Sequence, residues 1–220
     1  MKTRPTIVVV DYGVGNLYSL TKALRRFDAT VVVSEEAGNI EKADGVILPG
    51  VGAFEAGMRG LLRRNLVDVV KAKAAAGTPL LGICLGVQIL LTEGHEFGIF
   101  EGLGIIPGRV VHFPPLVDRE KVPHVGWNAI APLRGASWDG TIFDGMTGGE
   151  QVYFVHSYIM EPVDPSHCLA ETVYGGHAFC SAVRKGNIFG TQFHPEKSGT
   201  VGAKILENFV QCTILSSRAK

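Results

Sequence analysis

The sequence predicts a single α/β domain in which a mixed, mostly parallel central sheet is flanked by helices and the C-terminal half is rich in β-hairpins. Three observations carry this. Through the first hundred or so residues, short β-branched runs alternate with stretches of helical period, the rhythm of strand–helix–strand crossovers. In the middle of that rhythm, one wholly apolar run breaks at a glycine-flanked cysteine, Cys84. Beyond residue 104 the apolar runs shorten and are separated by turn residues, as hairpins require.

Residues 6 to 10 form a β-branched run that ends in Asp11-Tyr12-Gly13-Val14-Gly15-Asn16, the look of a central strand entering a loop. Leu17, Leu20, Leu24 and Phe27 then recur at three- and four-residue steps with Lys22, Arg25 and Arg26 between them, which predicts an amphipathic helix. Thr30 to Val33 and Gly45 to Gly50 are the next strands. A helical pattern runs from Glu55 to Ala76, in two pieces parted near Asn65, and Gly77 is a natural C-cap. In the second half, 108 to 113, 151 to 155 and 169 to 174 are strands, and Gly175-Gly176 turns the last of these into His177 to Val183. Residues 132 to 150 lack periodicity and read as a surface loop, and Gly199 to Cys212 closes the chain as a helix. The Gly13-Val14-Gly15 loop has the placement of a dinucleotide turn, but position 18, where the third glycine of that fingerprint belongs, is Tyr18.

Composition narrows the function. Hydrophobic residues make up 46% of the 220, enough for a substantial interior, and 28 glycines with 11 prolines imply many tight turns. Lysine plus arginine equals aspartate plus glutamate at 21 each, so no net field favours a polyanion and no nucleic-acid partner is expected. The N-terminal apolar run stops at Asp11, and no stretch approaches the roughly 20 apolar residues of a membrane span, so a cytoplasmic protein without a membrane partner is expected. The cysteines at 84, 168, 180 and 212 show none of the close pairs used by zinc or redox motifs. No metal and no cofactor is expected, and all but Cys84 read as packing residues.

Cys84 differs because of its surroundings. Leu80 to Ile83 suit a buried parallel strand, and after Gly86 the residues Val87, Leu90 and Leu91 fall at helical spacing. Gly82 and Gly86, two residues to either side, permit the crowded strand-to-helix turn called a nucleophile elbow. A thiol there sits above the strand ends, near helix N–H groups whose partial positive charge favours a thiolate. Far downstream, Phe193-His194-Pro195-Glu196 follows another apolar run. In extended backbone alternate side chains share a face, so His194 and Glu196 can point the same way, and Pro195 stiffens that geometry. A cysteine nucleophile needs a base and the base needs an orienting partner; Cys84, His194 and Glu196 supply the three roles.

Together, Gly82-Ile-Cys84-Leu-Gly86, Gln88 and Phe193-His194-Pro195-Glu196 resemble the class I, triad-type glutamine amidotransferase family, with a flavodoxin-like core, over nearly all of residues 1–220. The resemblance implies that L-glutamine is the substrate, that Cys84, His194 and Glu196 are catalytic, and that the N–H groups of Leu85 and Val51 form the oxyanion hole. It implies glutamine-binding roles for Gly50, Gly52, Gln88, Glu96, His156, Ser157 and Tyr158. Five segments, around Asn16, Pro49 to Phe54, Pro123 to Asn128, Tyr153 to Tyr158 and His194 to Ser198, are similar to the branch whose glutaminase docks on a separate (β/α)8 cyclase subunit, to which it passes ammonia. In that branch Asn16, Trp127, Tyr153 and Lys197 match positions at or near the interface. The loop at 132 to 150 matches no family motif.

Other readings stay open at this point. A glutaminase serving a different synthase, such as the pyridoxal phosphate synthase, would share the elbow and triad but lack the His124-Val-Gly-Trp-Asn128 segment. A γ-glutamyl hydrolase lies in the same neighbourhood. A non-catalytic flavodoxin-like binding module is opposed by the intact Cys84, His194 and Glu196.

Overall fold

The structure is a computed structural model and describes residues 4–117, 120–133 and 136–218. The N-terminal half comprises β1 (Thr6–Val10), α1 (Leu17–Leu24), β2 (Thr30–Ser34), α2 (Ala37–Glu41), β3 (Gly45–Gly50), α3 (Phe54–Arg63), α4 (Val67–Ala75) and β4 (Leu80–Cys84). It continues through α5 (Leu85–Gln88), β5 (Leu91–Gly94), β6 (Phe100–Glu101) and β7 (Ile106–His112). The C-terminal half holds β8 (His124–Ile130), β9 (Glu150–His156), β10 (Tyr158–Pro162), β11 (Cys168–Tyr174), β12 (His177–Lys185), β13 (Ile188–Thr191) and α6 (Gly199–Arg218).

The main sheet runs β2-β1-β3-β4-β13-β12-β10-β7-β5-β6, with β11 paired to β12 beside this path. From β2 through β13 every neighbour is parallel, and beyond β13 the pairings are antiparallel except for β5 with β7. The strand alternation sorts side chains onto two cores, as period-two geometry requires. Ile7, Val9, Ile47, Leu81 and Ile83 pack under α1 and α6 with Leu20, Leu24, Ile205 and Phe209. Val8, Val10, Val46 and Leu48 face the other way, against Ile40, Met58, Leu61 and Val70 from α2, α3 and α4. Both faces are therefore covered, which is why these strands are apolar throughout.

Several expectations hold and others need correction. The helical stretch before β4 does divide at Asn65, which adopts φ 55°, and Gly77, at φ 71° just past the end of α4, turns the chain so that Thr78 N–H returns to the Lys73 carbonyl at 3.1 Å. The Gly175-Gly176 turn closes the β11–β12 hairpin, with Tyr174 opposite His177. The helix after Cys84, however, is one turn long, because the chain leaves it for β5, where Leu91 pairs with Ile106 of β7. The closing helix runs on past Cys212 to Arg218. The stretch at 132 to 150, of which 134 and 135 lie outside the described residues, is not a surface loop: Trp138, Ile142 and Phe143 are buried in the α1/α6 core. Trp138 Nε1 donates to the Leu169 carbonyl at 2.7 Å, and Asn208 of α6 donates to the carbonyls of Ile142 and Asp144 at 3.1 and 2.9 Å. Among the described residues no helix is long and apolar enough to cross a membrane.

Candidate active site

Because β1, β3, β4 and β13 run parallel, their C-terminal ends open on one rim of the sheet, where open α/β sheets bind ligands. Gly50 at the end of β3 is in register with Cys84 at the end of β4, and Thr191 at the end of β13 with Ile83. Cys84 itself sits at φ 54°, ψ −112°, a strained setting for a residue with a side chain. The neighbouring glycines make that turn possible by removing bulk. A Cβ on Gly86 would lie 1.7 Å from the Leu48 carbonyl oxygen, and one on Gly82 would lie 2.7 Å from backbone atoms of Gly86 and Val87. With only four residues, α5 brings little dipole to the sulfur, so the helix contribution expected from sequence is small.

His194 and Glu196 meet at the same rim, with Nδ1 2.8 Å from Oε1 and both side chains buried. The route differs from the extended one expected: His194 is extended, but Pro195–Lys197 form a 3-10 turn that brings Glu196 back against the ring. Three bonds fix this turn to β9. His194 N–H donates to the Tyr153 carbonyl at 2.9 Å, Tyr153 N–H donates to Ser198 Oγ at 3.0 Å, and Ser198 Oγ donates to the His194 carbonyl at 2.7 Å. His194 Nε2 and Glu196 Oε2 are buried without a hydrogen-bond partner among the described residues. Burial pulls the His194 pKa down, but the Cys84 sulfur and the Glu196 carboxylate outweigh it and raise the value from 6.5 to about 9. The ring is therefore an imidazolium at neutral pH, able to give a proton from Nε2.

A cavity of about 430 Å³ opens beside the sulfur, lined by Val51, Gly52, Gln88, Glu96, Ser157 and Lys197 among others. Glu96 Oε2 accepts from Phe54 N–H at 2.7 Å, capping α3, which has no other side-chain cap at its start. Gln88 Nε2 donates to Gln192 Oε1 at 3.0 Å and to the Tyr158 carbonyl at 3.5 Å, and its Oε1 has no partner among the described residues. Beneath the loop of Val51 and Gly52, the buried Tyr12 hydroxyl donates to the Pro49 carbonyl. Burial pushes that phenol's pKa up, with the nearby Cys84 charge adding to it, so Tyr12 stays a donor.

A buried cysteine at the edge of a roomy cavity, with an imidazolium and its carboxylate partner beside it, is an arrangement for acyl transfer to sulfur. The Glutamine amidotransferase class-I description matches residues 8–212. The chain belongs to this family. Curated relatives of this amidotransferase include the imidazole glycerol phosphate synthase subunit HisH 1 of Legionella pneumophila (strain Lens), 45% identical over 94% of this chain and 99% of that protein. The imidazole glycerol phosphate synthase subunit HisH of Archaeoglobus fulgidus is 49% identical over 93% and 97%. Among solved structures, a GMP synthase component from Thermoplasma acidophilum superposes at TM-score 0.71 with 19% identity, covering 100% of this chain and 98% of that one. A glutamine amidotransferase from Thermotoga maritima gives 0.67 with 12% identity over 96% and 99%. Their identities are low, so these two speak to the amidotransferase fold alone.

The remaining predicted residues of this amidotransferase fall around the same rim. Asn16 caps α1 through Ser19 N–H and lines a small recess with Val51, His194 and Glu196. Trp127 and Tyr153 are opposite one another on β8 and β9 with ring centroids 6.2 Å apart, and Lys197 Nζ sits 5.6 Å over the Tyr153 ring. Trp127 is 55% exposed, so this ridge is not core packing. Sequence reasoning missed two residues. Gln192, fully buried, places Nε2 3.7 Å from Cys84 Sγ. His124 Nδ1 is 3.1 Å from His156 Nε2, and its ring lies between those of Phe154 and Tyr174 at 4.7 and 3.9 Å. The one signal for Gln192 was an amide inside an apolar strand end, two residues ahead of His194.

Proposed function

We propose that this chain is the glutaminase subunit of an imidazole glycerol phosphate synthase. It hydrolyses L-glutamine to glutamate and ammonia in the cytoplasm and hands the ammonia to a (β/α)8 cyclase subunit, which converts PRFAR to imidazole glycerol phosphate and AICAR in histidine biosynthesis. The observation that carries the chemistry is that His194, held by Glu196 at 2.8 Å, interacts with Cys84, which borders a cavity of about 430 Å³. The choice of synthase is supported by the HisH relatives, which the chain matches almost end to end.

The substrate carboxamide lies in the cavity and Cys84 Sγ attacks its carbonyl carbon. Negative charge on the carbonyl oxygen is received by the N–H groups of Leu85, which follows the nucleophile in the chain, and Val51, which lines the cavity with it. The His194 imidazolium protonates the amide nitrogen, the C–N bond breaks and ammonia leaves. Neutral His194 then takes a proton from water, whose oxygen attacks the thioester; the C–S bond breaks and glutamate departs. Glu196 holds the ring and its charge throughout. Gln88, through its free Oε1, Glu96, through the oxygen not capping α3, and Gly50, Gly52, His156, Ser157 and Tyr158 position the amino acid end. The cyclase docks on the ridge of Asn16, Trp127, Tyr153 and Lys197, close to the triad because Tyr153 holds the His194 turn.

The test is a glutaminase assay of the chain alone, with the cyclase, and with the cyclase plus its nucleotide ligand. The proposal expects slow turnover alone and acceleration in the complex. Cys84→Ala is expected to abolish glutamine hydrolysis while synthesis from added ammonia continues; loss of both activities would make Cys84 structural and refute the proposal.

A further inference from the structure

Gln192 has an amide whose orientation its neighbours dictate. The Tyr158 carbonyl lies 2.8 Å from His156 Nδ1 and 3.5 Å from Gln88 Nε2, and a carbonyl can only accept, so both of those atoms are donors. Gln88 therefore turns its NH2 end toward Gln192 as well, at 3.0 Å, and the Gln192 atom facing it must be the oxygen. That leaves the NH2 end of Gln192 against Cys84 Sγ at 3.7 Å. His156, donating through Nδ1, accepts at Nε2 from His124 Nδ1 at 3.1 Å, so two donors converge on the Tyr158 carbonyl and the bonds from Gln88 through Gln192 run toward the nucleophile. Besides His194, whose pKa it raises, the sulfur's other polar neighbour is the Val155 carbonyl at 4.0 Å, which can serve only a protonated thiol. Cys84 thus lies between an acceptor suited to its neutral form and a donor suited to its anion.

We infer that Gln192 is a further catalytic residue: its side-chain N–H donates to the Cys84 sulfur whenever that sulfur carries negative charge. In the catalytic cycle this happens before attack on the carboxamide. It happens again in deacylation, when the C–S bond breaks and its electron pair returns to sulfur. The consequence for turnover rests on the glutaminase reading; the contact with sulfur does not.

The experiment is alkylation of Cys84 by iodoacetamide in the full-length chain, followed by peptide mass spectrometry so that the other cysteines are read separately. Losing a hydrogen bond to a charged group lowers the ionised fraction by about tenfold or more. The rise in intrinsic nucleophilicity offsets about half of that on a logarithmic scale. Gln192→Met should therefore alkylate about 3- to 10-fold more slowly near pH 7 and recover toward wild type near pH 9.5. Gln192→Glu, which sets a carboxylate against the sulfur, should be slower than Gln192→Met. Gln88→Met, which leaves the Gln192 amide in place but unfastened, should fall less. Unfolding midpoints are measured in parallel, and if Gln192→Met does not fold, Gln192→Asn, too short to reach the sulfur, gives the same reading. A folded Gln192 variant that alkylates at the wild-type rate near pH 7 overturns the inference. Alkylation requires neither glutamine nor cyclase, so a wild-type complex unable to hydrolyse glutamine would refute the glutaminase reading and leave this result standing.

Discussion

Replacing Glu196 by glutamine removes one charge from a buried hydrogen bond and changes little else in shape. The His194 and Glu196 side chains are 2% and 5% exposed, so water screens the pair weakly. Burial lowers the His194 pKa, while the Cys84 sulfur first and Glu196 second raise it, for a net value of about 9 against 6.5 in an unfolded chain. A group whose folded pKa is raised contributes stability that is complete below the unfolded value and is lost as pH climbs through the folded one. The whole rise is worth about 3 kcal/mol. Cys84 is the larger of the two raising partners, and a hydrogen bond to a charged group contributes on the order of 1 to 3 kcal/mol, so removing the Glu196 charge should cost about 1 kcal/mol. Urea unfolding of Glu196→Gln should therefore show a loss of about 1 kcal/mol near pH 6 that shrinks toward zero near pH 10, at constant m-value. The amide oxygen can still accept from Nδ1–H and keep the tautomer, so kcat should fall about tenfold rather than vanish. An equal loss of stability at both pH values would refute the imidazolium–carboxylate account, because steric damage does not titrate.

Three further outcomes follow from the same geometry. His124 and His156 are buried neutral, with burial lowering their pKa values from 6.5 to about 4 and about 3, so stability should fall as pH drops from about 6.5 toward 4. His124→Phe should flatten that acid limb in a Tm-against-pH series; an unchanged slope would contradict the assignment. Gly86→Ala drives a Cβ into the Leu48 carbonyl and should cost more than about 4 kcal/mol or prevent folding, whereas Gly38→Ala, with open space around it in α2, should change stability by no more than about 1 kcal/mol. Denaturation midpoints of the two variants decide this. Trp127→Ala, at a half-exposed site, should leave the midpoint within about 0.5 kcal/mol of wild type yet weaken cyclase binding about tenfold or more, read by calorimetry.

The parallel half of the sheet was legible because its residues sort cleanly by face, Ile7 and Val9 to one side and Val8 and Val10 to the other. The meeting of Cys84, His194 and Glu196 was legible because they lie in two compact motifs, each closing a strand. Where the sequence misled, burial had erased the pattern. Every residue from Thr78 to Leu91 is buried, so nothing in the spacing of Val87, Leu90 and Leu91 separates a one-turn helix followed by a strand from a longer helix. Trp138, Ile142 and Phe143 plug the core from an irregular segment that has no period to detect. The pairing of His194 with Glu196 was expected for the wrong local reason, since a 3-10 turn and not strand alternation joins them. Gln192 and His124 gave almost no signal, because their importance lies in partners far away in the chain: Cys84 and Gln88 for the first, His156 for the second.

The most direct measurement is intact-protein and peptide mass spectrometry of the chain with its cyclase, acid-quenched while glutamine is being turned over. A glutamyl adduct confined to the Cys84 peptide, absent from Cys84→Ala and accumulating when deacylation is slowed, is the result expected. Steady glutamine hydrolysis with no adduct at Cys84, or an adduct that persists in Cys84→Ala, would contradict the account.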